Sequence, residues 1–342
     1  MKKYLFMAIA AAAMTSCSQD ESLDIAQKEA ISFKDAFVEN ATRAIDGTWN
    51  TNTLADFQVY GNTKGNTETA IVPIFSDVKV TKSGTNWGYE DQYIQYWIEG
   101  NTYNFAAVKH GTVASLVNGL PETITYDATN QEDLLYDDAT ATGQVTGSNT
   151  AVAFEFDHLL SKAMFTVKNT MANNTANSIY FYRVSDVKIT NAYKGGTYYV
   201  MAKDCYTAGT WVPTTGESST LAVEFGNVCA SDGTTENAAA FEIGMQGTGA
   251  SNYQRVLIPA AYENSLNITC TIETLIKQGE GDNVTYAVID TEAYTKTISH
   301  TFVKGNAYNF VISLGNPGDP IQFTVTKVNE WNPATNGTDT SI

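Results

Sequence analysis

Short stretches in which apolar and polar residues alternate recur along most of the chain. In LADFQVYGN (54–62), Phe57 and Val59 share one face, and a Gly-Asn turn follows. Residues 92–110 are predicted to form a hairpin of two aromatic-rich strands with its turn at Gly100-Asn101. Alternation with turn residues between the stretches is typical of strands, so the pattern predicts an all-β protein built from β-sandwiches. Further predicted strands include 152–156, 164–167, 178–189, 195–201, 253–260, 266–276, 284–289 and 295–314.

An isolated apolar island lies near the start of the chain. Ile31 and Phe33 alternate with polar neighbours, and three more apolar residues follow at 36–38. The flanking residues of segment 18–43 are polar. The island therefore indicates a half-buried strand that packs on the rest of the protein.

The carboxy-terminal segment 321–331 carries a similar pattern. Ile321, Phe323 and Val325 alternate with polar residues and share one face. Val328 and Trp331 fall out of this phase, which indicates a bulge or a second short strand. The segment is either the last strand of its own domain or a strand that can be donated to another chain.

The first 17 residues, MKKYLFMAIAAAAMTSC, have two lysines, an apolar run at 4–14 and small residues before Cys17. This order predicts a signal peptide over residues 1–16, because the apolar run is too short to span a bilayer. Cys17 resembles the lipidated cysteine of a bacterial lipobox, with Met14 where leucine is usual. The following SQDES is similar to the acidic signal that sends lipoproteins to the outer surface. An ordinary signal peptide followed by a solvated tether is the alternative.

Arg43 is one of only three arginines, and it lies among small and flexible residues in VENATRAIDG (38–47). An exposed arginine in such a segment is a site for a trypsin-like protease, whereas a plain surface charge is the alternative. Arg183 and Arg255 lie inside predicted strands, where a folded protein protects them.

Composition narrows the classes of partner and the number of domains. The 342 residues are long enough for two ordinary domains or one large β domain, and 43% hydrophobic residues are enough for a core. Twenty basic against 37 acidic residues give a net charge of −17, which repels nucleic acid and anionic membranes. Abundant Tyr, Thr and Val also favour strands. We place the domain boundary near 157–163.

The chemistry of an enzyme is missing from the sequence. HExxH, GxSxG and P-loop motifs do not occur. The three histidines are interpreted as packed residues, and the acidic groups at 133–138 and 280–282 as solvated loops. Cys205, Cys229 and Cys270 have no zinc spacing. We predict no catalytic residues, no metal and no cofactor.

Several segments together resemble the Bacteroidetes fimbrillin family, the subunits of type V pili. They are the lipobox at Cys17, ATRA (41–44), LADFQVYG (54–61), YWIEGNTYNFAAV (96–108), EDLLY (132–136), FDHLLSKAMFTV (156–167) and IQFTVTKVNEW (321–331). The resemblance covers essentially the whole chain.

The resemblance implies two transthyretin-like β-sandwich domains in tandem, at 44–160 and 161–342, after a propeptide at 17–43. It implies that an arginine-specific protease cuts after Arg43, so that Ala44 becomes the first residue. The excised strand then comprises Ile31, Phe33, Phe37 and Val38, and the candidate donor strand comprises Ile321, Phe323, Val325, Val328 and Trp331.

The implied partners are other copies of the chain and accessory pilus subunits, which join by β-strand addition. The lipid anchors the precursor to the outer membrane before processing, and the product is a fimbrium at the cell surface that supports adhesion, biofilm formation or host colonisation.

Two other functions remain open. In the first, the chain is an anchor or tip subunit of the same pilus, and a tip subunit binds host or bacterial surface ligands. Alternatively it is a monomeric glycan-binding lipoprotein, for which Tyr198, Tyr199 and Trp211 are candidate stacking residues, although most aromatic residues of β-sandwiches pack in the core or at corners. An enzyme is the least favoured function.

Overall fold

The structure, a computed structural model, describes residues 28–38, 54–170, 180–215, 220–229, 240–242, 255–328 and 339–340. Within these ranges the regular secondary structure consists of β-strands, with three-residue 3-10 turns as the only helical elements. The prediction of an all-β fold is confirmed. Cys17, Arg43, Ala44 and Trp331 lie outside the described residues.

In chain order the strands are β1 (Phe33–Val38), β2 (Asp56–Lys64), β3 (Ile71–Ser83), β4 (Asn86–Gly88), β5 (Thr102–Lys109), β6 (Thr112–Val117), β7 (Leu120–Asp127), β8 (Leu135–Thr142), β9 (Val152–His158), β10 (Ser161–Asn169), β11 (Tyr180–Tyr193), β12 (Gly195–Tyr199), β13 (Thr210–Pro213), β14 (Thr220–Cys229), β15 (Ala240–Glu242), β16 (Arg255–Leu257), β17 (Ala261–Gln278), β18 (Thr285–Thr301), β19 (Ala307–Leu314), β20 (Gln322–Val328) and β21 (Asp339–Thr340).

The amino-terminal half is organised around a seven-stranded sheet in the order β1-β9-β8-β5-β2-β3-β4. Alternate residues of its strands point into one core; in β9, for example, Val152, Phe154 and Phe156 are buried. The sheet curls so that its two edges come close together. The ring of Tyr89, directly after β4, lies 5.7 Å from the ring of Phe33 in β1 at the opposite edge. Buried members of this first core include Ile31, Phe33, Phe57, Val59, Phe75, Val80, Tyr103, Phe105, Leu135, Phe154 and Phe156.

A four-stranded sheet in the order β13-β12-β7-β6 covers the other face of the large sheet. β12 comes after the predicted boundary at 160/161, whereas its partner β7 comes before it, so both halves of the chain contribute to this sheet. The tandem division of the chain stays a prediction. The second core beneath this sheet includes Tyr60, Val108, Ile124, Tyr126, Leu134, Leu159, Leu160, Tyr198, Val256 and Ile258.

The carboxy-terminal part is a sandwich of two further sheets. One has the order β15-β10-β19-β20-β21, with β16 also paired to β10, and the other has the order β14-β11-β17-β18. Their inner faces form the third core, whose buried members include Phe165, Val184, Ile189, Ile268, Ile272, Phe310, Ile312, Phe323 and Val325.

Two of the sequence segments that carried the resemblance meet where the chain passes from β9 to β10. The buried Asp133 carboxylate and His158 Nδ1 share a hydrogen bond of 2.5 Å. The Leu159 N–H donates to the Leu134 carbonyl at 2.9 Å. Asp133 is therefore an interior residue and β8 follows it directly, so the prediction of a solvated acidic loop at 133–138 was wrong.

Candidate functional site

The predicted amino-terminal island is a strand at the edge of the large sheet. β1 pairs in parallel with β9, Phe33 lying opposite Val152 and Val38 opposite Phe156. One extra residue of β1 between Lys34 and Phe37 shifts the register. Ile31, Phe33 and Ala36 are 1%, 4% and 3% exposed, so this short segment is part of the core.

The Phe33 side chain occupies a pocket made of aromatic rings. Its ring stacks on Phe154 with centroids 5.9 Å apart. It meets the edges of Phe75, Tyr89 and Phe105 at 5.7, 5.7 and 6.2 Å. Edge-to-face and offset contacts of this kind are favourable for aromatic rings. The pocket is therefore fitted to one phenyl ring on the strand that fills it.

Residues before β1 are held by a second partner, the segment 95–97. The Ile31 N–H donates to the Gln95 carbonyl at 2.8 Å, and the Trp97 N–H donates to the Glu29 carbonyl at 3.0 Å. The Tyr89 hydroxyl donates to the Ile31 carbonyl at 2.6 Å. This segment does not pair with β5, so the predicted first strand of the 92–110 hairpin was wrong; its residues bind the island instead.

Glu29 anchors the start of the island through its side chain. Its Oε2 accepts hydrogen bonds from the Gly147 N–H at 2.9 Å and from Asn149 Nδ2 at 2.8 Å. The Asn149 amide, followed by the Gly147 N–H, holds the pKa of the Glu29 carboxyl below its usual value. These donors stabilise the ionised form, so the loop 147–149 is a carboxylate-binding site.

A described island of 11 residues thus fills a groove between β9 and the segment 95–97. If it leaves, the backbone groups of both partners lose hydrogen bonds, and the phenyl pocket opens to water. A sheet edge with free backbone groups beside an apolar groove binds another strand readily. Phe37 and Val38 lie in β1 opposite Glu155 and Phe156.

Comparison with known proteins identifies the family. The Fimbrillin-like family matches residues 42–331. The chain belongs to this family. A fimbrial protein from Bacteroides vulgatus ATCC 8482 has a similar fold, with a TM-score of 0.57 and 16% identity over 89% of this chain and 99% of that one. A structure from Bacteroides uniformis ATCC 8492, whose name refers to cell adhesion, has a TM-score of 0.48 and 19% identity over 89% and 99%. No curated protein matches.

In this fimbrillin-like chain the candidate donor segment lies in its own carboxy-terminal sheet. β20 pairs antiparallel with β19, from Gln322 opposite Ser313 to Val328 opposite Ala307. Phe323 and Val325 are 6% and 1% exposed. The register has no shift, so no bulge separates Val325 from Val328 as the phase of the sequence had suggested. Donation of this segment stays a prediction.

The two other arginines of the fimbrillin-like chain lie in strands, as predicted. Arg183 is in the middle of β11, which pairs with both β14 and β17, and its guanidinium bonds to Glu273. Arg255 begins β16 and lies opposite Ala163. A protease binds an extended segment whose backbone groups are free, so pairing with neighbouring strands protects both peptide bonds.

Two of the three candidate aromatic residues for glycan stacking pack in or against the second core. Tyr198 is 5% exposed. The Trp211 indole N–H donates to the Leu159 carbonyl at 2.7 Å, and the Trp211 ring packs against Tyr198. Tyr199 packs against Tyr206. Tyr198 and Trp211 belong to the second core and its edge, so they form no exposed platform.

The remaining chemistry of the fimbrillin-like chain is structural. His110 Nδ1 lies 3.0 Å from the Asp133 carbonyl, and the ring of His300 packs against Phe302 and Tyr308. Burial raises the pKa of the Cys270 thiol to about 12, and Cys205 is a free exposed thiol. Within the described ranges, no group of three or more His, Cys, Asp or Glu residues could hold a metal. Nor does the described part contain a helix long and apolar enough to cross a membrane.

Sequence reasoning missed three residues of the site: Glu29, Tyr89 and Asn149. Each acts through a contact with a distant part of the chain, 58 residues away for Tyr89 and 120 for Asn149. Glu29 alone gave a signal, since it is an acid two residues before the apolar Ile31. The other two had none, because a lone Tyr or Asn carries no periodic pattern.

Proposed function

We propose that this fimbrillin-like chain is a structural subunit of a type V pilus that polymerises by strand exchange. It is secreted as a lipoprotein, cut after Arg43 and assembled at the cell surface. One observation carries the proposal: the strand immediately preceding Arg43 is an edge strand that is buried in the core. Cutting the connection to Ala44 frees this strand to leave and opens a groove that fits another strand.

The energetics favour refilling of the groove. Burying Ile or Phe contributes about 1.5–3 kcal/mol each, so loss of Ile31 and Phe33 alone forgoes about 3–6 kcal/mol. Unpaired backbone groups of β9 and of segment 95–97 add to the cost when they lie under protein. An incoming strand recovers both terms and loses conformational entropy on docking. The exchange is therefore favourable only for a strand of matching pattern.

The carboxy-terminal segment is the donor in this proposal. Ile321, Phe323 and Val325 present an apolar face of the kind that the groove buries. Within the part of the chain that the structure describes, β20 pairs with β19 on one side and with the two-residue β21 on the other, so its departure breaks the β19 pairing and little else. The partners are thus further copies of this chain and accessory subunits of the same pilus.

In this proposal the amino-terminal segment delivers the chain to the cell surface. Lipidation at Cys17 holds the precursor at the outer membrane, and an arginine-specific protease then releases the chain from residues 17–43. The finished fimbrium supports adhesion, biofilm formation or host colonisation. Fimbrial function in the similar protein of Bacteroides vulgatus agrees with this location, and a structural subunit has no need of catalytic residues.

An anchor or tip subunit is the second candidate function. The observation that favours an anchor is the firm attachment of the island, which Glu29, Tyr89 and the phenyl pocket hold from three sides. A subunit that retains this strand keeps its lipid and ends the polymer at the membrane. A glycan-binding monomer is less favoured, because two of its three candidate aromatic residues serve the second core.

The test is controlled proteolysis of the purified full-length precursor with an arginine-specific protease. We expect one cut after Arg43 and then a ladder of polymers on an unboiled gel. Arg43→Ala is expected to remain monomeric, whereas Arg255→Lys, the matched control, is expected to polymerise like the natural chain. Cutting after Arg43 without polymers would refute strand exchange and favour the anchor function.

A further inference from the structure

One short pattern occurs twice in the chain: an acid, any residue, Ile, any residue, Phe. The two copies are EAISF at 29–33 and DPIQF at 319–323. None of the other 13 phenylalanines of the sequence is preceded in this way. The first copy lies in the island that fills the groove, and the second lies at the start of β20.

The groove uses every specified position of the first copy. The Glu29 carboxylate binds the loop at Gly147 and Asn149, Ile31 is 1% exposed in the core, and the phenyl pocket encloses Phe33. The intervening positions, Ala30 and Ser32, are exposed. The groove therefore recognises an acid, an isoleucine and a phenylalanine at alternate positions of one segment.

The second copy satisfies the same backbone requirements. Pro320 stands at the position of Ala30, and proline has no N–H to donate. The hydrogen bonds at this point of the groove use the Glu29 carbonyl and the Ile31 N–H. The N–H of the residue between them takes no part in that pairing, so proline there removes no hydrogen bond with the segment 95–97.

The phenylalanine of the second copy has fewer aromatic contacts where it now lies. Among the described residues the Phe323 ring packs against one ring, Phe310, at 6.0 Å. The groove offers four aromatic rings to the residue at the position of Phe33. Transfer of Phe323 from its own sheet to an empty groove therefore increases its ring contacts.

From these observations we infer the register of exchange: Asp319, Ile321 and Phe323 of one subunit take the positions of Glu29, Ile31 and Phe33 in the next. The donor runs parallel to β9, and the loop at Gly147 and Asn149 binds the Asp319 carboxylate. The inference rests on the proposed function and specifies which part of the partner enters the site. It makes the island an internal copy of the donor.

Beyond the phenylalanine the two strands differ in one respect. β1 accommodates one extra residue before Phe37, whereas β20 runs without a shift of register. Without the extra residue, Val325 reaches the position of the buried Ala36. Val325 is larger than Ala36, so the surrounding core side chains must shift to hold the donor at this position.

Cysteine pairs test the register directly. Lys34 lies opposite Ala153, and both are exposed, so the inference places Thr324 opposite Ala153 of the neighbouring subunit. Ala153→Cys protein is cut and mixed with cut protein carrying Gln322→Cys, Thr324→Cys or Thr326→Cys, all in a Cys205→Ser background. Under mild oxidation we expect the Thr324→Cys mixture to give several-fold more disulfide-linked dimer than the other two.

The outcomes separate the register from the function. Preferential linkage through Gln322→Cys or Thr326→Cys overturns the register and leaves strand exchange in place. Polymers without linkage in any mixture show that another segment fills the groove, which also overturns the inference. If the natural chain forms no polymer after the cut, the proposed function itself fails.

The carboxylate contact has its own test in the assembled polymer. Asp319→Asn is expected to speed dissociation of the polymer about 3-fold or more, because a charge-assisted hydrogen bond becomes a neutral one. Asp319→Glu, with the side-chain length of Glu29, is expected to give a polymer that dissociates as slowly as the natural one or more slowly. Asp319 also bonds to Asn316 in its own turn, so melting of each monomer checks the fold. Equal dissociation of all three polymers would exclude a carboxylate site in the groove.

Discussion

Substitution of Phe33 by alanine tests how firmly the island belongs to the amino-terminal core of the precursor. Phe33 is 4% exposed and contacts four aromatic rings. Deleting its ring leaves a cavity among Phe75, Tyr89, Phe105 and Phe154. Because these residues come from separate segments of the chain, the surrounding structure can collapse into the cavity only in part.

The expected cost is that of a large-to-small change in a core, about 3–5 kcal/mol in the free energy of unfolding. For a domain of this size, 1 kcal/mol corresponds to about 2–4 °C in Tm, so the melting transition is expected to fall by about 6–20 °C. The lower end applies if β1 detaches as a unit. The loss of stability then cannot exceed the free energy with which β1 binds the rest of the protein.

The assay is thermal and urea unfolding of the uncut precursor, with Lys34→Ala, an exposed neighbour in the same strand, as control. If cleavage releases the island, as we propose, polymers from both variants should dissociate like those of the natural chain. A loss below 1 kcal/mol in the precursor would refute the burial of Phe33. A weakened polymer would refute removal of the island.

Three further predictions concern the rest of the fold. Burial raises the pKa of the Asp137 carboxyl to about 6. Because the native state binds this proton more tightly than the unfolded state, the contribution of this group to stability is complete below about pH 4 and is lost as the pH rises through 6. Asp137→Asn should raise stability at pH 7.5 by about 1 kcal/mol after allowance for solvent screening, and urea midpoints at pH 4 and 7.5 measure it. Asp133→Ala removes the acceptor of the buried His158 and should cost about 1–3 kcal/mol in a urea titration; no loss would mean that the pair is not needed at the junction. Gly143→Ala would place a Cβ 2.1 Å from the Ile98 carbonyl oxygen and should lower Tm, whereas Gly88→Ala, with open space around it, should not.

Periodicity predicted the strands well where one face of a sheet is buried and the other is solvated. β9 is an example, since its residues alternate strictly between buried and exposed along its length. The island at 31–38 was also predicted as a half-buried strand from two alternating residues. Both cases depend on a local pattern that the amino-acid order displays directly.

Pairing between distant segments could not be read in the same way. Residues 94–98 have the aromatic pattern of a strand, yet their backbone pairs with the island and not with β5. β12 and β13 join β7 across the predicted domain boundary. Side-chain periodicity specifies which face is buried and leaves the choice of neighbour open.

The candidate site was predicted in part. Ile31 and Phe33 were identified, whereas the carboxylate loop and the Tyr89 contact depend on three-dimensional proximity. Trp211 was a candidate for glycan stacking as well as for packing, and its ring packs against the second core while its N–H bonds to the Leu159 carbonyl. Burial of an aromatic residue with a satisfied polar group has no signature in the sequence.

The most direct test of the account is amino-terminal sequencing of the protein recovered from the cell surface, run beside an unboiled gel. Cleavage after Arg43 and polymerisation predict a start at Ala44 in a heat-labile ladder of high-mass species. A blocked start at a lipidated Cys17 with a single monomer band would contradict the account, because the island would then still occupy the groove.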